Sequence, residues 1–151
     1  MKFLLLIIVS VASSFISKAQ TAEDSIKLTI NKLFDGMKAG DAAMIKAAFA
    51  DSAILQSVGM DRKTGKLHIE NEVVNDFAEF VSKQSKGSAD ERIIFDVIKI
   101  DGALAMVWAP YKFYFNGVFS HCGVDSFQLV RVGNEWKIQY LIDTRRKKGC
   151  E

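Results

Sequence analysis

At 151 residues the chain has the length of a single domain. Its 20 lysines and arginines against 18 acidic residues give no basic excess of the kind that holds nucleic acid to one face. The histidines, His68 and His121, are far apart, and no C-x-x-C or H-x-x-x-H spacing occurs, so neither a metal nor another cofactor is expected.

The first twenty residues differ from the rest. Lys2 precedes an apolar run from Phe3 to Ala12 broken only by Ser10, and Ser17-Lys18-Ala19 puts small residues at the two positions a signal peptidase reads. The run is short of the ~20 residues that span a bilayer, and Ser13, Ser14 and Ser17 follow it. Residues 1–19 therefore read as a cleaved signal peptide and 20–151 as the exported domain, periplasmic or secreted, with no stable membrane insertion. Loss of Lys2 and Lys18 leaves equal numbers of basic and acidic residues, 18 of each. The one charge run, Arg145-Arg146-Lys147-Lys148, reads as a solvated tail in preference to an anion site. In an oxidising compartment Cys122 and Cys150 are expected to pair, the alternative being two free thiols. Closing a loop of about 29 residues would contribute roughly 3–4 kcal/mol.

Along the domain, Ile26, Ile30, Leu33, Phe34 and Met37 recur at helical spacing after Thr21, a natural cap, and Gly40 ends the helix. Asp41 caps a short second helix carrying Met44, Ile45, Ala48 and Phe49. A short strand is expected over 51–58 and a turn over 60–66. Val73, Phe77, Phe80 and Val81 mark a third helix, and 85–90 a polar break. The remainder is β: a strand over 92–100, the turn Asp101-Gly102, a strand over 104–115, the turn Asn116-Gly117, a strand over 119–132, the turn Gly133-Asn134, and a strand over 136–143. Pro110, the only proline, lies in mid-strand and is expected to mark a bulge or bend. Two helices, a short strand, a third helix and four antiparallel strands predict an α+β domain with helices on one face of a curved sheet.

The two-residue turns set a register. Phe115 faces Val118 and Val132 faces Glu135, so Trp108 faces Asp125, Lys112 faces His121, and Asp125 faces Ile142. One face then carries Trp108, Lys112, Tyr114, His121, Asp125, Phe127 and Tyr140. A bulge would flip every residue on one side of it. This face is expected beneath the helices, where it either lines a pocket with aromatic walls and polar handles or leaves Asp125 and His121 at an open rim. The opposite face, with Val107, Tyr111, Phe113 and Val124, is apolar enough to meet a second copy of the sheet as a homodimer, or to remain the surface of a monomer.

The layout resembles the nuclear-transport-factor-2-like superfamily, the cone-shaped fold shared with SnoaL-like and ketosteroid-isomerase-like proteins. Gly36-Met37-Lys38-Ala39-Gly40-Asp41, followed by Met44, Phe49, Asp51 and Ala53, carries the likeness at the N-terminus. Trp108-Ala109-Pro110-Tyr111, Ser120-His121-Cys122-Gly123-Val124-Asp125, Trp136-Lys137-Ile138 and Ile142-Asp143-Thr144-Arg145-Arg146 resemble one branch, the putative lumazine-binding family of exported bacterial proteins. The resemblance implies the cone fold, a pocket between sheet and helices, and common dimerisation. It implies little about activity, because such folds host both enzymes and binders.

Three functions compete. A binding protein would hold a small molecule of unknown identity between Trp108, Phe127 and Tyr140, oriented by Lys112, His121 and Asp125, with Tyr114 on the same face. A cofactor-independent isomerase, dehydratase or hydrolase would use Asp125 or His121 as general base. An interaction module would use the outer sheet face. Binding is preferred over catalysis, because no nucleophile–base pair or metal site is visible. A cavity with Asp125 or His121 at its floor would favour chemistry; at its rim, binding.

Overall fold

A computed structural model of the chain describes residues 21–61 and 63–150. The expected signal peptide, residues 1–19, lies outside them. The first helix, α1 (Ala22–Ala39), is closed at its start by a reciprocal pair in which the Thr21 hydroxyl accepts from the Asp24 amide and the Asp24 carboxylate accepts from the Thr21 amide. Gly40, at φ 67°, ends it in the left-handed conformation. Helix α2 (Ala42–Ala48) starts at Asp41, whose side chain accepts from the Met44 amide at 2.9 Å. The expected stripe of α1 is the buried one: Ile26, Ile30, Leu33, Phe34 and Met37.

Strand β1 (Phe49–Met60) returns as β2 (Leu67–Glu72), a strand that the local pattern does not announce. Helix α3 (Val74–Ser82) follows, burying Ala78 and Val81. The strand expected over 92–100 is two: β3 (Ala89–Ile93) and β4 (Val97–Asp101), both paired with β5 (Leu104–Phe115). Then come β6 (Val118–Val132) and β7 (Glu135–Thr144). The sheet runs β2-β1-β7-β6-β5-β3, with β4 also on β5. All these pairings are antiparallel except β1 with β7.

Pro110 makes no bulge, contrary to expectation: it pairs through to Val124 in unbroken register. Its carbonyl accepts from the Ile94 amide and the Trp108 carbonyl from the Asp96 amide, so the proline's missing donor faces the gap between β3 and β4. There the edge strand has already broken, and proline is tolerated.

The bulges lie elsewhere. The Asn116-Gly117 turn does place Phe115 opposite Val118, but the register shifts one residue on, where Tyr114 faces Phe119 and Phe113 faces His121, leaving Ser120 unpaired. Between β6 and β7 the shift falls at Gln139, so Leu129 faces Ile138 but Gln128 faces Tyr140. A one-residue slip turns every later side chain to the other side. Beyond the bulges β5 and β7 are therefore inverted relative to expectation. Trp108 faces Ser126 and Lys112 faces Cys122, while Asp125 lies between Ala109 and Asp143.

The helix-covered side thus carries Ala105, Val107, Ala109 and Tyr111 of β5, Asp125, Phe127 and Leu129 of β6, and Ile138, Leu141 and Asp143 of β7, all buried. Trp108, Lys112, Tyr114 and Tyr140 stand on the other side of the sheet. The core joins α1, α2 and α3 to this inner face, with Phe34 set edge-on to Phe127 at 6.3 Å between centroids.

At the end of β7 the chain crosses β6 closely. A Cβ on Gly123 would lie 1.7 Å from the Thr144 carbonyl oxygen and 2.7 Å from the Tyr111 ring, so only glycine fits. Just beyond, Arg146 and Cys122 exchange backbone hydrogen bonds, and a disulfide joins Cys122 to Cys150.

Candidate functional site

The sheet does not close fully onto the helices. A cavity of about 350 Å³ remains between α1, α3 and the inner face at the β3–β5–β6–β7 end. Its walls are apolar: Leu33, Phe34 and Met37 from α1, Phe77, Phe80 and Val81 from α3, and Phe113 and Leu141 from the sheet. Its floor is polar, because Glu91, Tyr111, His121, Asp125 and Asp143 come to the same side on adjacent strands, with Arg145 just past β7.

Asp125 and Asp143 are direct cross-strand partners, an arrangement of like charges that disfavours a sheet unless something neutralises it. Asp143 is neutralised by partners. It accepts from the Ser57 hydroxyl, from the Tyr111 hydroxyl at 3.1 Å and from Arg145 Nε at 2.8 Å. Arg145 also donates to Ser57 Oγ at 2.7 Å, and the Tyr111 hydroxyl lies 2.9 Å from the Thr144 carbonyl. Burial and the neighbouring Asp143 push the Tyr111 phenol well above its ordinary range, so it stays a donor.

Asp125 has no such partners. It is 3% exposed and has no guanidinium or ammonium partner among the described residues. Burial first, then the charge of Glu91, pushes its pKa well above the usual carboxylate range. Glu91, hydrogen-bonded to Asp125, is pushed up to about 7, again chiefly by burial. The two titrate as a pair and share a proton. Asp125 Oδ2 is buried without a hydrogen-bond partner among the described residues. Glu72, at the cavity mouth, is also shifted upward by burial, with Arg145 opposing.

His121 forms one side of the polar floor. Its ring meets Tyr111 edge-on at 5.7 Å and Phe113 at 5.1 Å, with Ser120 Oγ 3.0 Å from Nδ1. Burial and then Arg145 lower its pKa, so the imidazole is neutral near pH 7.

Of the residues expected from sequence, the fold brings His121 and Asp125 into this cavity. Phe127 faces the same way but lies in the packed layer, fully buried against Phe34. Trp108 does not share a face with His121 and Asp125, contrary to expectation. Trp108 is 42% exposed on the outer side, and Lys112 is exposed beside it. Tyr114 lies under the Arg92 guanidinium at 4.2 Å, and the Tyr140 hydroxyl donates to Gln56 at 2.7 Å. Their places are taken by Tyr111, Phe113, Phe34 and Phe77. Arg145 departs from the solvated-tail reading, since it lines the cavity and pairs with Asp143 although half its side chain is exposed; Arg146, Lys147 and Lys148 are exposed and line no cavity wall. Sequence reasoning missed Glu91, Tyr111, Asp143 and Arg145. The alternation of the strands, with two bulges allowed, would have found the middle pair.

The profile of the family described as "putative lumazine-binding" matches residues 21–140. The chain belongs to that family. Among solved structures it is similar to an NTF2-like protein of unknown function from Shewanella baltica OS155, at TM-score 0.64 and 18% identity over 83% of this chain and 94% of that one. A second, from Shewanella oneidensis MR-1, gives 0.63 and 16% over 82% and 99%. A third, from Methylobacillus flagellatus KT, gives 0.62 and 18% over 83% and 92%. These likenesses show that this member of the lumazine-binding family has the NTF2-like fold. No curated protein matches the sequence. Family and fold together suggest a small-molecule-binding domain.

Proposed function

We propose that this protein is an exported binder of a small, ring-bearing molecule, held in the cavity beneath α1 and α3. The observation that supports it most is the pairing of an aromatic-walled cavity of about 350 Å³ with an unpartnered buried carboxyl oxygen, Asp125 Oδ2, at its floor. Lumazine, which the family's description names, is a flat fused ring with N–H donors on its edge and suits such walls. Export is supported by the N-terminal sequence and is in keeping with the Cys122–Cys150 disulfide. A homodimer is supported by Leu104, Met106 and Trp108, exposed along the outer face of β5.

A second reading has one observation behind it: Asp125 lies at the floor, where chemistry is favoured. Burial and then the charge of Glu91 push the Asp125 carboxyl upward, which suits an acid better than a base, so the base would be Glu91 and the acid Asp125. Binding remains the better reading, because Asp143, Tyr111 and Arg145 are engaged with one another. Native mass spectrometry of the mature protein tests both binding and dimerisation. A co-purifying small molecule that is lost in Phe113→Ala is expected. Bare protein that also fails to bind lumazine, benzamidine and benzamide in calorimetry would remove the binding reading.

A further inference from the structure

We propose that the cavity takes a hydrophobic organic cation, a protonated aromatic amine or amidine whose N–H groups bond the Asp125 and Glu91 carboxyls. This rests on the small-molecule reading above and names its ligand class. Several donors of the polar floor are already used. The Tyr111 and Ser57 hydroxyls and Arg145 Nε and Nη2 all serve Asp143 or one another. His121 is neutral, and its Nδ1 is taken up with Ser120. Against these stand acceptors without a matching cation, the Glu91 and Asp125 carboxyls, of which Asp125 Oδ2 is buried with no donor directed at it among the described residues.

The lining groups point the same way. Glu72, Glu91, Asp125 and Asp143 line the cavity against the guanidinium of Arg145, which is matched by its contact with Asp143. The groups facing the Glu91–Asp125 pair come from every neighbouring element: Tyr111 on β5, a neutral His121 on β6, Asp143 and Arg145 at the end of β7, and Glu72 at the mouth. The wall that α1 contributes is apolar, and α3 adds only apolar side chains. An anion would find four carboxyls and no unmatched cation. A cation brings donors and charge to a site of apolar walls and carboxyl acceptors, where a charge-assisted hydrogen bond is stronger than a neutral one. Its arrival displaces the proton shared by Glu91 and Asp125, and that proton leaves to the buffer.

Benzamidine and benzamide are near-isosteric rings that differ in charge, and titration calorimetry at pH 7 distinguishes them. Benzamidine is expected to bind roughly ten- to a hundredfold tighter, the range set by a hydrogen bond to a charged partner. It should also release a proton, seen as a heat that changes between phosphate and Tris buffers. Asp125→Asn and Glu91→Gln should each erase most of that preference while benzamide binding persists. Should benzamide or lumazine bind as tightly as benzamidine, or should both variants keep the preference, the cation proposal fails and the small-molecule reading stands. If none of the three probes binds, both fail.

Discussion

Replacing Glu91 by glutamine should stabilise the protein, and only above the acid range. In the folded chain the Glu91 carboxyl moves from 4.5 to about 7, with burial the main cause and the partly opposing hydrogen bond from Asp125 second. The folded state therefore binds more protons than the unfolded one between those values, and stability falls as pH rises through them. Each pH unit in that window carries ~1.4 kcal/mol, so ionising Glu91 by pH 8 removes about 3 kcal/mol from a total of ~5–15 kcal/mol. The substituted amide keeps the size and the hydrogen-bonding capacity of the protonated acid and never ionises. Urea unfolding at half-unit pH steps should give equal midpoints for wild type and Glu91→Gln near pH 4.5. The curves should then diverge, with the variant ahead by about 3 kcal/mol at pH 8. A difference that stays constant within ~0.5 kcal/mol, the usual error of additivity, would refute the shared proton. It would also remove the basis for proton release on ligand binding.

Other parts of the fold give three further outcomes. Gly123→Ala should not yield folded protein, since its Cβ would meet the Thr144 carbonyl at 1.7 Å, and backbone cannot move aside without breaking the Cys122–Arg146 bridge; soluble yield and circular dichroism report this. Cys122→Ala with Cys150→Ala should lower stability by roughly 3–4 kcal/mol in urea, the loop-closure term for residues 28 apart, and wild type with reductant should match it. Trp108→Glu should leave melting temperature and cavity binding unchanged, because Trp108 is exposed on the outer face, and under the proposed homodimer it should shift the mass in light scattering from dimer to monomer, whereas a wild type that already scatters as a monomer would remove that proposal.

Most of the fold was legible because it rests on local chemistry. Capping residues, glycine stops and helical stripes placed α1 and α2, and Asn116-Gly117 and Gly133-Asn134 placed two hairpins where they occur. The elements that were missed are those whose identity depends on a partner. Strand β2 has an entirely exposed sequence and exists through its pairing with β1. The strand expected over 92–100 splits where the Pro110 side of β5 offers no donor. Neither fact is written in the local pattern of the residues concerned.

The site was half legible for a sharper reason. Alternation along β6 put His121 and Asp125 on the helix side without needing any register, and both are there. Everything inferred across a hairpin depended on an unbroken ladder, and Ser120 and Gln139 each break one. The consequence is chemical as well as geometric. In the unbulged register Asp125 would face Trp108 and Ile142, leaving a lone carboxylate among rings with Lys112 on the same face. With both bulges it faces Ala109 and Asp143, Tyr111 turns inward, and Glu91 joins from β3. A site with a basic handle becomes one dominated by carboxyls, and the expected ligand changes from one the lysine could hold to one that carries its own positive charge. Two unpaired residues in the ladder thus decide the sign of what the cavity accepts. This is why the contrast between benzamidine and benzamide tests the register together with the ligand class.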